Sequence, residues 1–268
     1  MPGYFLSEIY IYPLKSAAGI SVKESFVEEK GLKLDRRWML VDTEGKFISQ
    51  RTCPQLSTIS VELDDDGLII QHKIKDCGSV FIPFDIDEDN VMEVHVWKDK
   101  CSAVTVSNAA DCWFGKVLGI PCRLVFMPEH SKRKVDLKYS SGKETVSFAD
   151  GFPFLLIGQS SLDDLNSRLE HALPINRFRP NLVFTGGEPF AEDNWNRFKI
   201  GEVDFFPVKP CSRCLVTTID QDSGIKGTEP LETLAAYRKK VNKVLFGQNL
   251  IHKGGGLIKV GDPLIVHE

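Results

Sequence analysis

The sequence predicts a mainly β chain with few helices, of barrel or sandwich type. Two observations carry this expectation. Short β-branched and aromatic runs recur with a turn signal every ~8 to 12 residues. Windows with helical spacing are few and come late in the chain. At 268 residues there is room for one large domain or two small ones, and an apolar content of 42% is ordinary for a globular protein.

The elements follow in order. Residues 4 to 12 alternate as a first strand that Pro13 ends, and Val22 to Val27 reads as a second. Gly31 to Arg37 is a turn before the compact apolar strand Trp38 to Val41. Asp42-Thr43-Glu44-Gly45 signals a hairpin that returns through Lys46 to Ser49. Leu56 to Leu63 and Leu68 to His72 form another pair around Asp64-Asp65-Asp66-Gly67. Val91 to Trp97, Ala103 to Val106 and Cys122 to Met127 add three strands. Ser107 caps a helix to Leu118 with Ala110, Phe114, Val117 and Leu118 on one face, and Gly119-Ile120-Pro121 ends it.

Residues 128 to 147 are polar, with Lys132-Arg133-Lys134 in the middle, and read as a solvated loop. That composition shift divides the chain into domains 1–127 and 128–268. The second half opens on the aromatic turn Phe148 to Phe154 and the strand Leu155 to Ile157. A helix from Ser160 to Leu169 follows, capped by Ser160 or Ser161, with Asp163 and Asp164 in its first turn and Leu162, Leu165 and Leu169 as its stripe. Leu182 to Phe184, Phe198 to Ile200 and Val203 to Val208 are strands, and Glu229 to Lys239 is a helix with Pro230 in its first turn. Phe246-Gly247-Gln248-Asn249-Leu250-Ile251 and the closing segment Gly255 to Val266 complete the chain.

Composition excludes several classes. A net charge of −4 argues against nucleic acid as a bulk partner, since phosphate binding wants a strongly basic face. Seven scattered cysteines suit a reducing compartment rather than a disulfide framework. The N-terminus has no basic and apolar leader, and no run approaches the ~18 apolar residues of a membrane span. The expectation is a cytoplasmic protein.

The chemistry concentrates at Lys209 to Thr218, where Cys211 and Cys214 sit two residues apart behind Pro210, with Arg213 between them. A guanidinium beside a thiol favours the thiolate, which is the form that attacks or ligates metal. Three other readings stand beside this one. The pair is incidental and buried, or half a zinc site, or a redox dithiol. No second Cys-x-x-Cys or His-x-x-x-His completes a tetrahedron, and Leu215 to Ile219 reads as a strand rather than the helix a thioredoxin-like dithiol opens. One cysteine is therefore expected to be a ligand or nucleophile at a strand start.

Four islands are too polar for their apolar surroundings: Lys15-Ser16, Arg36-Arg37, Arg179-Pro180-Asn181 and Ser212-Arg213-Cys214. Gly151 offers close backbone approach and Asn249 an amide. Converged, they suit a phosphate-bearing cofactor, because arginine reads phosphate bidentately and lysine supplies a point charge. No phosphate-loop, dinucleotide, zinc-protease or serine-elbow motif is present, and the six histidines are scattered.

Ordered along the chain are Tyr12-Pro13-Leu14-Lys15-Ser16, Asp35-Arg36-Arg37-Trp38, Phe148-Ala149-Asp150-Gly151, Phe178-Arg179-Pro180-Asn181, Cys211-Ser212-Arg213-Cys214 with Thr217-Thr218, Glu229-Pro230-Leu231, Phe246-Gly247-Gln248-Asn249 and Val260-Gly261-Asp262. Through these the sequence resembles the MOSC family, named for the C-terminal domain of molybdenum cofactor sulfurase, in its two-domain form. Within it, the chain looks like the bacterial N-hydroxylated-base reductases and the mitochondrial amidoxime-reducing components. The resemblance implies two barrel-like domains sharing one site, an N-terminal MOSC β-barrel and a MOSC domain. It implies a molybdenum–pterin cofactor whose metal is held by Cys214. Lys15, Ser16, Arg36, Arg179, Asn181, Ser212 and Arg213 fall where the family holds pterin and phosphate. Gly151, Phe152 and Asn249 match contact positions at which relatives vary. The activity implied is reduction of N-hydroxylated bases or amidoximes, a detoxification chemistry, and the family also carries an association with pyridoxal phosphate.

The chain has no ferredoxin Cys-x4-Cys-x2-Cys run before it stops at Glu268, so electrons are expected from a ferredoxin- or flavodoxin-type carrier and its reductase, unless a longer natural protein supplies them. Lys132-Arg133-Lys134 is a candidate docking patch for such an acidic carrier, against the plainer reading of a solvated loop. Two rival functions remain. Cys214 carries a persulfide or docks the pterin for delivery, or Cys211 and Cys214 act together as a redox dithiol.

Overall fold

The computed structural model of the chain describes residues 3–267, so the outermost ends of the two expected domains lie outside it. Seven strands close into a barrel, in the order Phe154–Gly158, Leu182–Thr185, Tyr4–Ile11, Pro263–His267, Arg197–Ile200, Val203–Ser212, Lys243–Lys253 and back to Phe154–Gly158. Closure leaves the ring without unpaired edges. Its one parallel pair, Phe154–Gly158 with Leu182–Thr185, is joined through the helix Gln159–Asn166, the crossover that parallel strands need.

Alternation explains how this wall is built. Leu6, Phe154, Leu156, Phe184, Phe198, Phe205 and Leu250 fill the barrel. Leu155 and Ile157 point outward from the same strand and pack with Leu162, Leu165, Phe178 and Phe246. A strand covered on both faces reads as an unbroken apolar run, as Phe154 to Ile157 does.

The rest of the N-terminal half forms a second, barrel-like unit. Trp38–Val41, Arg123–Phe126, Asp99–Thr105 and Val91–Val96 make one sheet, and Ile59–Leu63, Gly67–His72 and Ser79–Pro83 another. The helix Asn108–Leu118 seats Ala110 and Phe114 in a core with Trp38, Leu40, Leu68 and Ile82. Ser107 caps it by accepting from the Ala110 amide at 3.1 Å, and Gly119 ends it in the left-handed region, φ 69°. The halves interlock: Tyr4–Ile11 is a barrel strand, and Glu24–Glu28 pairs with Gly256–Lys259. Among the described residues no helix is long and apolar enough to cross a membrane.

Several expectations are corrected. The helix at 159–166 has no side-chain cap; Ser161 instead donates to buried Glu192 at 2.9 Å. Leu215–Thr218 is a single 3-10 turn rather than a strand, because Thr217 and Thr218 hydroxyls bond back to the carbonyls of Cys214 and Leu215. Lys46 to Ser49 returns through an isolated bridge, Val41 with Phe47, and forms no strand. The edge strand Ser79–Pro83, with one buried residue, was not expected. The helix expected over 229–239 spans Leu231–Tyr237.

Residues 128 to 147 are a loop with many exposed residues, but one that is pinned to the core at several points. Arg133 is 3% exposed. It donates to the carbonyls of Ser147, Ala149 and Asp150 and pairs with Asp99 at 2.9 Å. Arg37 fixes the start of the segment through the Met127 carbonyl and Glu129. Beneath it Val135, Val146 and Ala149 make a small core with Phe152.

Candidate functional site

The strand Val203–Ser212 runs up the barrel wall beside Lys243–Lys253, and the cysteine motif leaves its upper end. Arg213 keeps the pairing one residue further, its amide donating to the Val244 carbonyl at 2.8 Å. Cys214 is still extended, with φ −132° and ψ 179°, before the 3-10 turn begins. The motif is thus at a strand end, not a strand start. It opens into a cavity of about 170 Å³ between the two halves.

The wall of that cavity is cationic. Lys15, Arg36, Arg51, Arg179 and Arg213 line it against a single carboxylate, Asp150. In a chain of net charge −4 that local excess marks a place built for an anion.

Tyr12 organises two of the arginines. Its ring is buried, its hydroxyl donates to the Pro180 carbonyl at 2.9 Å, and Arg36 and Arg179 stack on it at 4.4 and 4.3 Å. Arg36 pairs with Asp35 at 2.6 Å and donates to Asn181 Oδ1 at 3.0 Å. Burial opposes its charge, but Asp35 and Tyr12 outweigh that and raise its pKa. Among the described residues Arg179 meets no carboxylate. Its Nη1 donates to the Ala17 carbonyl at 2.7 Å, and burial lowers its pKa to about 10, which leaves it charged at neutral pH. Ser16, Arg36 and Arg179 all sit at positive φ, 71°, 51° and 55°, where side chains other than glycine are uncommon. Such backbones cluster at ligand clamps, where the surrounding packing holds them.

A second chain of groups crosses the mouth. Lys15 is buried and donates to the Phe148 carbonyl and to Asp150 Oδ1, both at 2.7 Å. Burial pulls its pKa down to about 8, against the upward pull of Asp150. The concave wall disfavours charge on Asp150, yet Lys15 and Arg51 hold its carboxyl well below the usual range. Arg51 Nη2 lies 3.9 Å from Asp150 Oδ2 and donates to Cys214 Sγ at 3.1 Å. Cys211 Sγ has a different donor, Arg213 Nη1 at 3.0 Å, and packs with the apolar cluster outside the barrel wall. Among the described residues no cluster of three or more His, Cys, Asp or Glu can hold a metal ion.

Comparison with known proteins agrees along nearly the whole chain. The MOSC domain matches residues 143–265 and the MOSC N-terminal beta barrel domain matches residues 4–121. Mitochondrial amidoxime-reducing component 1 of Mus musculus is 35% identical over 278 residues, 97% of this chain and 81% of that protein. The Homo sapiens protein of the same name is 34% identical over 277 residues, covering 97% and 82%. The chain belongs to the MOSC family. A molybdenum cofactor sulfurase of Oryza sativa subsp. japonica is also 34% identical, across 90% of this chain but only 32% of its own length.

Within this MOSC protein every residue singled out for the site lines the one cavity: Lys15, Ser16, Arg36, Gly151, Phe152, Arg179, Asn181, Ser212, Arg213, Cys214 and Asn249. Sequence reasoning missed Arg51 and Ser49, quoted Asp150 and Thr217 only as members of motifs without a role, and left Cys211 out of the site although it lines the same cavity. Asp150 had a signal, standing in the same four residues as Gly151. Arg51 had none, since it lies in an ordinary polar stretch and reaches the site only through the fold. Arg37, grouped with Arg36 in the sequence, faces away to Met127 and Glu129.

Proposed function

We propose that this chain is a molybdenum-cofactor oxidoreductase that reduces N-hydroxylated bases and amidoximes with electrons from a carrier protein. The observation that carries the reading is Cys214, whose sulfur has the Arg51 guanidinium as donor at 3.1 Å in a cavity walled by cations, while the second cavity-lining sulfur, Cys211, is tied to Arg213 at 3.0 Å. Among the described residues no cluster of three or more protein ligands surrounds that sulfur, which suits a metal whose remaining ligands arrive with a bound group.

The residues fit such a group. Arg213 Nε is buried without a partner, Arg179 has no carboxylate, and a side chain built at Gly151 would meet nothing within 4 Å. Each is a donor or a space left for a ligand. When bound, the molybdenum–pterin group supplies the two-electron redox chemistry. Cys214 would ligate its metal. Arg36, Arg179 and Arg213 would hold its phosphate and ring edge, with Lys15, Ser16, Asn181, Ser212 and Asn249 completing the polar wall. Phe152 and the Gly151 backbone would shape the mouth that admits an N-hydroxylated substrate and limits water.

The test is reduction of an N-hydroxylated base by the purified protein, with NADH or NADPH, a reductase and a ferredoxin- or flavodoxin-type carrier. Turnover that requires the carrier supports the reading. No reduction by molybdenum-loaded protein contradicts it, and turnover with nicotinamide alone removes the carrier. The likeness to a sulfurase favours a second reading, in which Cys214 holds a persulfide for delivery. Intact-mass detection of an extra sulfur on Cys214 in protein free of molybdenum would select it.

A further inference from the structure

We propose that the basic hairpin Lys239 to Lys243 is the docking surface for a small acidic electron carrier. The inference rests on the carrier-fed reading above and adds the place where the carrier sits. The hairpin is built onto the strand that frames the cysteine motif. Lys239–Lys240 pairs with the start of Lys243–Lys253, with Lys239 opposite Val244 and Lys240 opposite Lys243. The other edge of that strand carries Ser212 opposite Leu245, then Arg213, whose amide reaches the Val244 carbonyl. Lys243 therefore comes level with Cys214 across one strand spacing, ~5 Å. The turn Val241-Asn242 projects from the end of the barrel at which the cavity opens.

Two features of this hairpin gain nothing in the free chain. The first is its charge. Lys239, Lys240 and Lys243 are exposed, and among the described residues none has an ion-pair partner, whereas Arg238 at the base is answered by Asp193. Like charges directly opposite on paired strands, as Lys240 and Lys243 are, repel. The second is the tip. Val241 is 88% exposed at φ 56°. A β-branched residue is strained there, and glycine or asparagine would suit the turn better. A local rule broken with no gain in the fold points to a use outside it.

Leu215, the residue after Cys214, is exposed as well, at 66%. Apolar side chains beside unanswered cations, next to a redox cavity, fit an acidic protein face with an apolar centre. In a chain of net charge −4 most of the surface repels such a partner, so the three lysines orient it. Stoichiometry sets the kind of contact. Converting one N–OH to N–H takes two electrons and two protons and releases one water. A one-electron carrier of the ferredoxin type must therefore dock, be oxidised and leave twice for each turnover. That favours a small, charge-steered encounter over a large buried interface.

The test gives the molybdenum-loaded full chain an N-hydroxylated base and one of two donors. One is an acidic plant-type ferredoxin kept reduced by its reductase and NADPH; the other is reduced methyl viologen, which needs no docking surface. Lys239→Glu, Lys240→Glu and Lys243→Glu combined are expected to raise KM for the ferredoxin about tenfold at low salt, and added salt to close the gap. Val241→Gly relieves the turn, so it should unfold no earlier than wild type yet raise the same KM about threefold. Viologen-driven turnover should be unchanged in both. A ferredoxin KM within about twofold of wild type in the triple variant overturns the proposal, as does a rise matched by an equal loss with viologen. Should that variant fail to fold, Lys239→Gln, Lys240→Gln and Lys243→Gln combined are read instead, and no rise there overturns it equally. Wild type driven by viologen but not by ferredoxin overturns the docking surface and leaves the oxidoreductase reading intact. Wild type that turns over with neither donor defeats that reading, and calorimetry with oxidised ferredoxin at low salt then decides the surface: binding lost in the triple variant supports it, and equal or absent binding overturns it.

Discussion

Arg133 and Arg179 are both largely buried, and they are used in opposite ways. Arg133 is fully answered by the protein, with three carbonyls and the Asp99 carboxylate around its guanidinium. Arg179 is answered by one carbonyl, a tyrosine ring and a distant amide oxygen. Arg36 shows the intermediate case: it lines the cavity yet keeps its own carboxylate in Asp35 at 2.6 Å, whereas its neighbour Arg37 staples Met127 and Glu129 away from the cavity. A buried charge whose partners are complete belongs to the scaffold. One whose partners are incomplete is held for a ligand, because burial without compensation is costly.

The comparison can be broken first at its structural end. Arg133→Ala should destabilise the ligand-free protein by on the order of 3 kcal/mol, since it leaves Asp99 and three carbonyls without their donor. The midpoint of urea unfolding checks this. A loss no larger than that of an exposed lysine variant would mean that Arg133 is not a staple.

Lys15 lies between the two classes, with partners but a pKa lowered to about 8 by burial. Between about 8 and its ordinary value near 10.5 the unfolded chain binds the extra proton. Stability from this group therefore rises with pH across that window and is flat below it. The rise is on the order of 1–3 kcal/mol. Lys15→Met should remove it, which denaturation at several pH values would show as a shallower slope than wild type. Parallel slopes would mean that Lys15 titrates normally.

Arg179→Ala should make the smallest change in the ligand-free protein, within about 1 kcal/mol, because the lost contacts are offset by relief of a buried charge beside Arg36. Its defect should be cofactor loss instead, and Arg179→Lys should share it in part, since a point charge does not replace the fork of donors. Full cofactor retention by Arg179→Ala at unchanged fold would return Arg179 to the scaffold class.

The sequence made the strands readable wherever alternation and turn residues agreed, as at Tyr4–Ile11 and Gly67–His72. It failed where local hydrogen bonding decided. Leu215 to Thr218 has β-forming residues, yet the two threonine hydroxyls close a 3-10 turn. The cavity residues were legible because polar islands stood inside apolar stretches. What no pattern encodes is which charge finds partners. Lys132-Arg133-Lys134 reads as one basic run, but Arg133 is buried and Lys132 faces Glu29 at 3.6 Å, which weakens it as a docking patch. Charge reversal at Lys132 and Lys134 should accordingly leave the Michaelis constant for an acidic carrier within about twofold of wild type at low salt. A tenfold rise would restore the patch. Arg51 was invisible for a related reason: it reaches the cavity through contacts with Trp97 and Cys214, distant in sequence.

Both cysteines line the cavity, and the central claim is that Cys214 alone holds the metal while Cys211, which also packs against the outer cluster, is auxiliary. Molybdenum and pterin content per chain, measured in wild type, Cys214→Ser and Cys211→Ser purified alike, tests it most directly. Near-stoichiometric metal in wild type and in Cys211→Ser, with at least a tenfold loss in Cys214→Ser, is the result expected when one thiolate completes the coordination. Equal loss in both variants, or a wild type that holds no metal and instead shows a Cys211–Cys214 disulfide on oxidation, would contradict it.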